Sequence, residues 1–427
     1  MTPPIIVVLA AVLSAPPPTA TPADPAAIHD QAVKAYQAKD FERFLELEKK
    51  ASALDPENPR YLYKVACGEA LGGHAAPAVE ALDRLRERKL DLGAETDTDF
   101  AAIHSSPQWR RYLESLASLR RALAVSRVAL TLPDPELLVC GLALDAATGD
   151  LFIGSLRERK ILRRSRTGAI TDFVAEGRDG LLGVGSLAVD GPRRLLYASA
   201  SGAPHARGLP KEEAGRSGLF AFDLATGHLA RMSLLPQDGA VHALNNLAVD
   251  RSGNVYVSDS AAAGVYRWNA AAAKLERFAP ADLLRSTQGL ALSADEKTLF
   301  VSDWTRGLWS VDLATGAARA LTSPPGVWLG GLDGLTRFND ALVSVQIGVR
   351  PERVLELKLD AKGERVASAR ILEMSRPDYD GPIQGIADGE SFLYIANSQL
   401  ALVNPKSGAF ASERAHPTIL LRLPLSP

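Results

Sequence analysis

An internal repeat in the second part of this sequence limits the folds that are open to it. Six segments share a pattern in which a small or polar residue precedes leucine or isoleucine and then alanine or threonine. Each segment continues through a turn into a β-rich run, and the segments start 43 to 60 residues apart. They begin at Cys140, Gly185, Asn245, Gln288, Asp333 and Gln384. A period of about 40–50 residues with four short strands is typical of propeller blades. The sequence therefore predicts a six-bladed β-propeller over residues 126–427.

The two ends of the repeat region predict how the ring closes. Residues 127–132 and residues 418–423 are both strand-like and fit together in the sixth blade. Closing the ring removes the exposed sheet edges that promote aggregation. The longest interval between repeats contains the polar, glycine- and proline-containing stretch 203–217, for which we expect a surface loop.

Residues 26–122 have a helical pattern instead. Apolar residues recur at helical spacing, Asp40 can cap a helix, and a last helix is predicted over residues 107–122. Two helical hairpins of about 34 residues resemble tetratricopeptide repeats. With only two repeats, a small bundle packed on the next domain is favoured over a groove that binds a protein partner. The whole chain is thus predicted to be α + all-β, with two domains.

The first 25 residues predict a signal peptide and linker. Residues 5–13 form an apolar run of the length found in signal peptides, and small residues follow it, although no lysine or arginine precedes it. We expect a periplasmic or secreted protein, or a cytoplasmic one if this segment is not a signal peptide. No stretch reaches the roughly 18 apolar residues that a membrane span needs.

Charge and cysteine content exclude several functions. The net charge of −2 at pH 7 gives no basic surface for nucleic acid, so no nucleic-acid partner is expected. Two cysteines, Cys67 and Cys140, exclude a disulfide scaffold and a cysteine-rich zinc module.

The first residues of the six repeats form a column of candidate site residues. The first strand of a blade lies nearest to the channel, so the residue just before that strand lies at the channel mouth. Most of the column is polar, and its convergence predicts a binding site for a small molecule. Each of these residue types is also common in turns.

The repeats resemble the SMP-30/gluconolactonase/luciferin-regenerating-enzyme propellers. The similarity rests on residues 246–259, on residues 288–293 with 299–303, and on residues 333–335, and it covers about residues 127–427. The resemblance implies a divalent metal, calcium or zinc, at the channel mouth. The metal would polarise a lactone carbonyl while an aspartate activates water.

Carried over by position, the resemblance assigns Asp333 as the catalytic base and as a metal ligand. Asn245 keeps the asparagine of the third blade, Gln288 replaces the asparagine of the fourth, and Cys140 replaces the glutamate of the first. Losing a hard anionic oxygen weakens a calcium site, whereas zinc accepts sulfur and oxygen ligands. A buried, inert Cys140 is favoured over a ligand.

Three further residues are candidates for substrate binding. His242 lies three residues before Asn245 and could reach the channel mouth, also as a general base. Arg350 could contact an anion, and Gln384 belongs to the column. Each has an alternative role, as a loop, surface or turn residue.

Two functions follow from these observations and remain open at this stage. The first is a metal-assisted hydrolase of lactones or related esters with an altered or degraded metal site. The second is a non-catalytic ligand-binding or protein-interaction scaffold with a helical partner-binding module.

Overall fold

The computed structural model describes residues 24–272, 274–279, 283–404 and 407–425. The predicted signal peptide lies almost entirely outside the described residues. Within them, five α-helices precede six four-stranded antiparallel sheets. The predicted α + all-β architecture with a six-bladed propeller is therefore confirmed. No helix in the described ranges is long and apolar enough to cross a membrane.

The helical region contains five α-helices and two short 3-10 helices. Asp40 accepts a hydrogen bond from the backbone N–H of Arg43 and caps the second helix, as predicted. The 3-10 helices are Ala94–Thr96 and Thr98–Ile103. The α-helices are α1 (Pro25–Gln37), α2 (Phe41–Leu54), α3 (Pro59–Leu71), α4 (Ala75–Glu87) and α5 (Pro107–Leu119).

Helix α5 ends at Leu119, three residues earlier than predicted. The residues that follow form hydrogen bonds with the propeller instead of continuing the helix. Leu123 and Met374 exchange two backbone hydrogen bonds, and the backbone N–H groups of Val125 and Ser126 donate to the buried Glu373 carboxylate. These contacts require an extended chain, and the helix cannot continue through them.

Each blade is a four-stranded antiparallel sheet that begins at the channel. The blades are β2–β5 (Val139–Asp145, Asp150–Ser155, Lys160–Arg164, Ile170–Val174), β6–β9 (Gly183–Asp190, Leu195–Ser201, Ser217–Asp223, Leu229–Leu234), β10–β13 (Leu244–Val249, Val255–Asp259, Gly264–Asn269, Lys274–Ala279), β14–β17 (Thr287–Leu292, Thr298–Asp303, Gly307–Asp312, Ala318–Ala320), β18–β21 (Leu332–Phe338, Ala341–Gln346, Arg353–Leu359, Val366–Met374), and β22–β24 with β1 (Ile383–Asp388, Ser391–Ile395, Thr418–Pro424, Arg127–Leu132).

The ring closes in the sixth blade, as predicted. Strand β1 pairs with β24, and Arg127 lies opposite Arg422 in the register. The insertion before the third repeat is a loop between β7 and β8 that contains one short 3-10 helix, Lys211–Glu213.

Glycine is the second residue of four of the six repeats, and at Gly289 it lets neighbouring blades approach at the axis. A Cβ atom on Gly289 would lie 2.4 Å from the backbone carbon of Gly334 and the backbone nitrogen of Leu335. Serines of the second strands add hydrogen bonds between blades. Ser258 Oγ donates to the Gln288 carbonyl at 2.6 Å, and Ser302 Oγ donates to the Leu332 carbonyl at 3.1 Å. The repeated residue types thus serve the packing of the innermost strands.

The helical region packs against the fourth and fifth blades. Trp328 and Val349 of the propeller belong to the hydrophobic core of the helices. The Gly326 N–H donates to Glu57 Oε2 at 2.7 Å, and Arg353 Nη1 donates to the Arg88 carbonyl at 3.2 Å. The two regions therefore share a continuous core.

Candidate functional site

A small cavity of about 100 Å³ lies where the innermost strands begin. Its walls come from residues at the start of the first strands, where Asn245, Gln288 and Asp333 are each the second residue, and from residues just after the second strands. The lining residues are Asn245, Ser260, Gln288, Trp304, Asp333, Ile347, Gly348, Glu352, Gly381, Ile383, Ser398, Leu400 and Ala401. The repeat register thus brings Asn245, Gln288 and Asp333 into one cavity.

The Asp333 carboxyl group has few partners. Among the described residues, its hydrogen bond comes from the backbone N–H of Gln384, which lies 3.4 Å from Oδ1. Burial raises the pKa of Asp333 to about 6, and the hydrogen bond from Gln384 opposes this effect. A carboxyl group with this pKa is a suitable proton acceptor near neutral pH.

Glu352 is a second carboxyl group in the same cavity, and the sequence did not point to it. It lies in the loop after β19, outside the repeated pattern. Burial raises its pKa to about 7, while the charge of Arg350 lowers the pKa and that of Asp380 raises it. The Glu352 side chain forms no hydrogen bond or ion pair within the described part of the chain. Its only sequence signal is its position after a second strand, on the side of the channel mouth.

Asn245 and Gln288 form a pair of amides beside these carboxyl groups. Asn245 Nδ2 donates to Gln288 Oε1 at 2.8 Å, and Gln288 Nε2 donates to Ser286 Oγ at 3.2 Å. Because both Oε1 and Nε2 of Gln288 form hydrogen bonds, the orientation of its side-chain amide is fixed. The second N–H of Asn245 Nδ2 is left to meet a ligand oxygen.

Gln384 faces away from the cavity and holds blades together. Its Nε2 donates to the carbonyls of Gly185, at 3.0 Å, and Cys140, and its Oε1 accepts from Ser186 Oγ at 3.3 Å. It lines a separate polar cavity of about 340 Å³ near the other end of the channel. Both ends of the Gln384 amide are occupied by protein groups.

Cys140 is buried in the propeller core, beside the cavity. Burial, with a smaller contribution from the charge of Asp333, raises the pKa of the thiol to about 12. The thiol therefore stays protonated at neutral pH and is a poor metal ligand or nucleophile.

His242 and Arg350 do not line the cavity. The His242 ring binds Asp259 Oδ2 through Nδ1 at 2.5 Å and Asp238 Oδ1 through Nε2 at 3.3 Å. The hydrogen bond to Asp259 is the main cause that raises the pKa of His242. The exposed Arg350 accepts a hydrogen bond at its carbonyl from the Asp91 N–H at 2.6 Å and lies at the contact between the two domains.

The residues that the resemblance assigns do not fit the calcium or zinc ion that it implies. Asp333 is the one carboxylate of the expected set, the Cys140 thiol is protonated, and the Gln288 oxygen already accepts a hydrogen bond. Calcium takes six to eight oxygen ligands, and zinc sites use thiolate, imidazole or carboxylate. This donor set supplies neither.

Potential metal ligands do cluster elsewhere, in the helical region. Cys67, Asp97 and Asp99 have ligand atoms within 4.8 Å of one another, the one such group found in the described residues. Tyr63 donates to Asp97 at 2.8 Å and Tyr36 donates to Asp99 at 2.7 Å. These hydrogen bonds give the cluster a structural role between α1, α3 and the residues before α5.

Fold and site together define a six-bladed propeller with two weakly acidic carboxyl groups in one cavity at its channel mouth. The sequence matches no known protein family and no curated protein.

Solved structures with this type of fold include both enzymes named in the resemblance. A gluconolactonase from Xanthomonas campestris is 20% identical and aligns over 73% of this chain and 93% of its own, with a TM-score of 0.48. A luciferin-regenerating enzyme is 13% identical and aligns over 70% of this chain and 96% of its own, with a TM-score of 0.48. A PQQ-bound aldose sugar dehydrogenase from Streptomyces coelicolor is 16% identical and aligns over 70% of this chain and 97% of its own, with a TM-score of 0.48. Similarity at this level assigns no activity to this chain.

Proposed function

We propose that this protein hydrolyses small lactones or related esters by acid–base catalysis with two carboxyl groups, without a metal at the channel mouth. The observation that carries the proposal is that Asp333 and Glu352 line one cavity and that neither carboxyl group forms an ion pair within the described residues. Their pKa values of about 6 and about 7 suit proton transfer near neutral pH.

The order of the two pKa values assigns the roles. Between pH 6 and 7, Asp333 is mainly ionised and Glu352 is mainly protonated. The Asp333 carboxylate takes a proton from water as the water oxygen bonds to the carbonyl carbon. The bond between that carbon and the ester oxygen then breaks, and Glu352 gives its proton to the leaving oxygen. Proton exchange with solvent restores both groups.

The other cavity residues position the substrate in this proposal. The free N–H of Asn245 Nδ2 supports binding of a substrate oxygen, and its hydrogen bond to Gln288 fixes its direction. Trp304 and Ile347 provide apolar walls that exclude bulk water. Hydrogen bonds to a developing negative charge are stronger where bulk water is excluded.

Substitution of each carboxyl group tests the proposal. Asp333→Asn and Glu352→Gln keep the shape of the side chains and remove the proton-transfer groups, so we expect kcat to fall by about 10²–10⁴-fold in each. The control is Asp340→Asn, which changes an exposed carboxylate of the same blade and should leave kcat unchanged. The measurement is hydrolysis of a lactone panel with proteins matched in thermal stability.

The role of metal is tested in the same assay. Wild-type protein treated with a chelator should retain its activity, and added calcium or zinc should not raise it. Activity that requires a metal would contradict the proposal. If no lactone or ester is hydrolysed but lactones bind at the cavity, the non-catalytic alternative replaces it.

We also propose that residues 1–25 export the protein to the periplasm or the medium. Sequencing the N-terminus of the mature protein tests this: cleavage after one of the small residues that follow the apolar run is expected. An intact Met1 on protein recovered from the cytoplasm would contradict it.

A further inference from the structure

Arg60 of the helical region lies beside the cavity of the propeller. It is the second residue of α3, and its backbone N–H donates to the capping Asn58 side chain at 3.1 Å. Its guanidinium carbon lies 5.3 Å from the centre of the Trp328 ring. A Cβ atom on Gly348 would lie 2.9 Å from Arg60 Nη2. Since Gly348 lines the cavity, the guanidinium reaches the cavity wall from outside the propeller.

The Arg60 guanidinium has no anionic partner. No hydrogen bond or ion pair of this group occurs within the described ranges, and its contact is the face of Trp328. Two other arginines of the domain contact, Arg88 and Arg353, are partnered. Arg88 pairs with Glu57 at 3.5 Å, and Arg353 donates to Gln346 and to a carbonyl of α4's C-terminal end.

An unpaired, largely buried cation is energetically unfavourable. Burial lowers the pKa of Arg60, and the smaller opposing effect comes from Tyr61 and not from a carboxylate. The ring of Trp328 offsets part of the cost by a cation–π interaction. That contact leaves the N–H donors of the guanidinium without acceptors. A bound anion would satisfy both the charge and the donors.

The missing side chain of Gly348 lets Arg60 and Trp304 pack closely against the cavity wall. Gly348 has a φ of +75°, and any side chain there would collide with Trp304 at 2.7 Å and with Arg60. Trp304 and Gly348 are both lining residues. Arg60 Nη2 thus lies directly behind a residue of the wall, and a ligand group that extends past Gly348 would meet the guanidinium donors.

We propose that Arg60 binds a carboxylate on the substrate, so that the substrates are lactones or esters that carry a second, anionic group. A planar guanidinium matches a carboxylate through two parallel hydrogen bonds. The proposal rests on the hydrolase function proposed above, and it gives the helical region a part in substrate selection. Glu352 enters the reaction protonated, so it does not repel such a substrate.

Two matched lactones test the proposal on the full chain. One is γ-butyrolactone with a carboxylate on its γ-carbon, and the other has a hydroxymethyl group there. The wild type should prefer the carboxylate form by at least about tenfold in kcat/KM. The same preference is expected in Kd, measured by calorimetry with the Asp333→Asn variant. Binding thus tests the anion site even if hydrolysis fails.

Variants of Arg60 separate charge recognition from structure. Arg60→Met and Arg60→Gln should abolish the preference, and Arg60→Lys should keep part of it. The thermal stability of Arg60→Met should be equal to or higher than that of the wild type, because an unpartnered buried charge is removed. Arg110→Gln, which removes an exposed arginine of α5, should keep the full preference.

Several outcomes would overturn the role of Arg60. These are a wild type without preference, a preference that survives in both uncharged variants, and an equal loss for both lactones. A lower melting temperature of Arg60→Met with an unchanged preference would show a structural role instead.

Discussion

Among single residues, His242 has a strong set of polar contacts outside the cavity. Its ring lies between Asp259, which is fully buried, and Asp238. Because its pKa is raised in the folded protein, protonation of His242 stabilises the fold. That stabilisation is fully present below the unfolded pKa of about 6.5 and is lost as pH rises through the folded pKa.

His242→Gln should therefore destabilise the protein more in acid than in base. We expect a loss of about 1–3 kcal/mol in the free energy of unfolding at pH 6, which narrows by pH 9. Chemical denaturation at both pH values measures the difference. His228→Gln changes an exposed histidine and serves as the control. An equal loss at both pH values would argue against an ionised His242.

The alignment of the repeats predicted part of the candidate site. The other part could not be predicted from the sequence, for physical reasons. Asn245, Gln288 and Asp333 could be predicted because they occupy one position of the repeat, at the start of the innermost strands. Glu352 could not, because the loop after a second strand has no fixed spacing. Arg60 comes from another domain, and sequence periodicity carries no information on how two domains dock.

Among the elements, four of the six innermost strands have a glycine after the first residue of the repeat, and the fourth blade depends on it for close packing. Gly289→Ala would place a Cβ atom 2.4 Å from the backbone of the next blade, which cannot move away in a closed ring. We expect a loss of about 3 kcal/mol in the free energy of unfolding. The control is Gly191→Ala, which meets no atom within 4 Å. Equal stability of the two variants would contradict this account of the repeat.

Strand and helix positions followed closely from sequence because they depend on local signals. Strand β1 was predicted because strand-like segments at both ends of the repeat region can close the ring, and the cap of α2 was predicted from Asp40. The end of α5 was wrong because Leu123 pairs with Met374, more than 200 residues away in the chain. A contact at that separation leaves no local trace in the sequence.

At the scale of the whole molecule, the helical region and the propeller form one site. The helices bury Trp328 and Val349 of the propeller and bring Arg60 to the cavity wall. The propeller supplies both carboxyl groups. On this account the helices are not a separate appendage, since they contribute to substrate selection at the channel mouth.

The pH dependence of lactone hydrolysis by metal-free protein tests the central claim most directly. Activity requires Asp333 to be ionised, so it should fall below pH 6, and it requires Glu352 to be protonated, so it should fall above pH 7. We predict a bell-shaped profile of kcat/KM with its maximum between these values. Glu352→Gln should remove the fall on the basic side. An activity that rises steadily with pH, or that appears only when metal is added, would contradict the account.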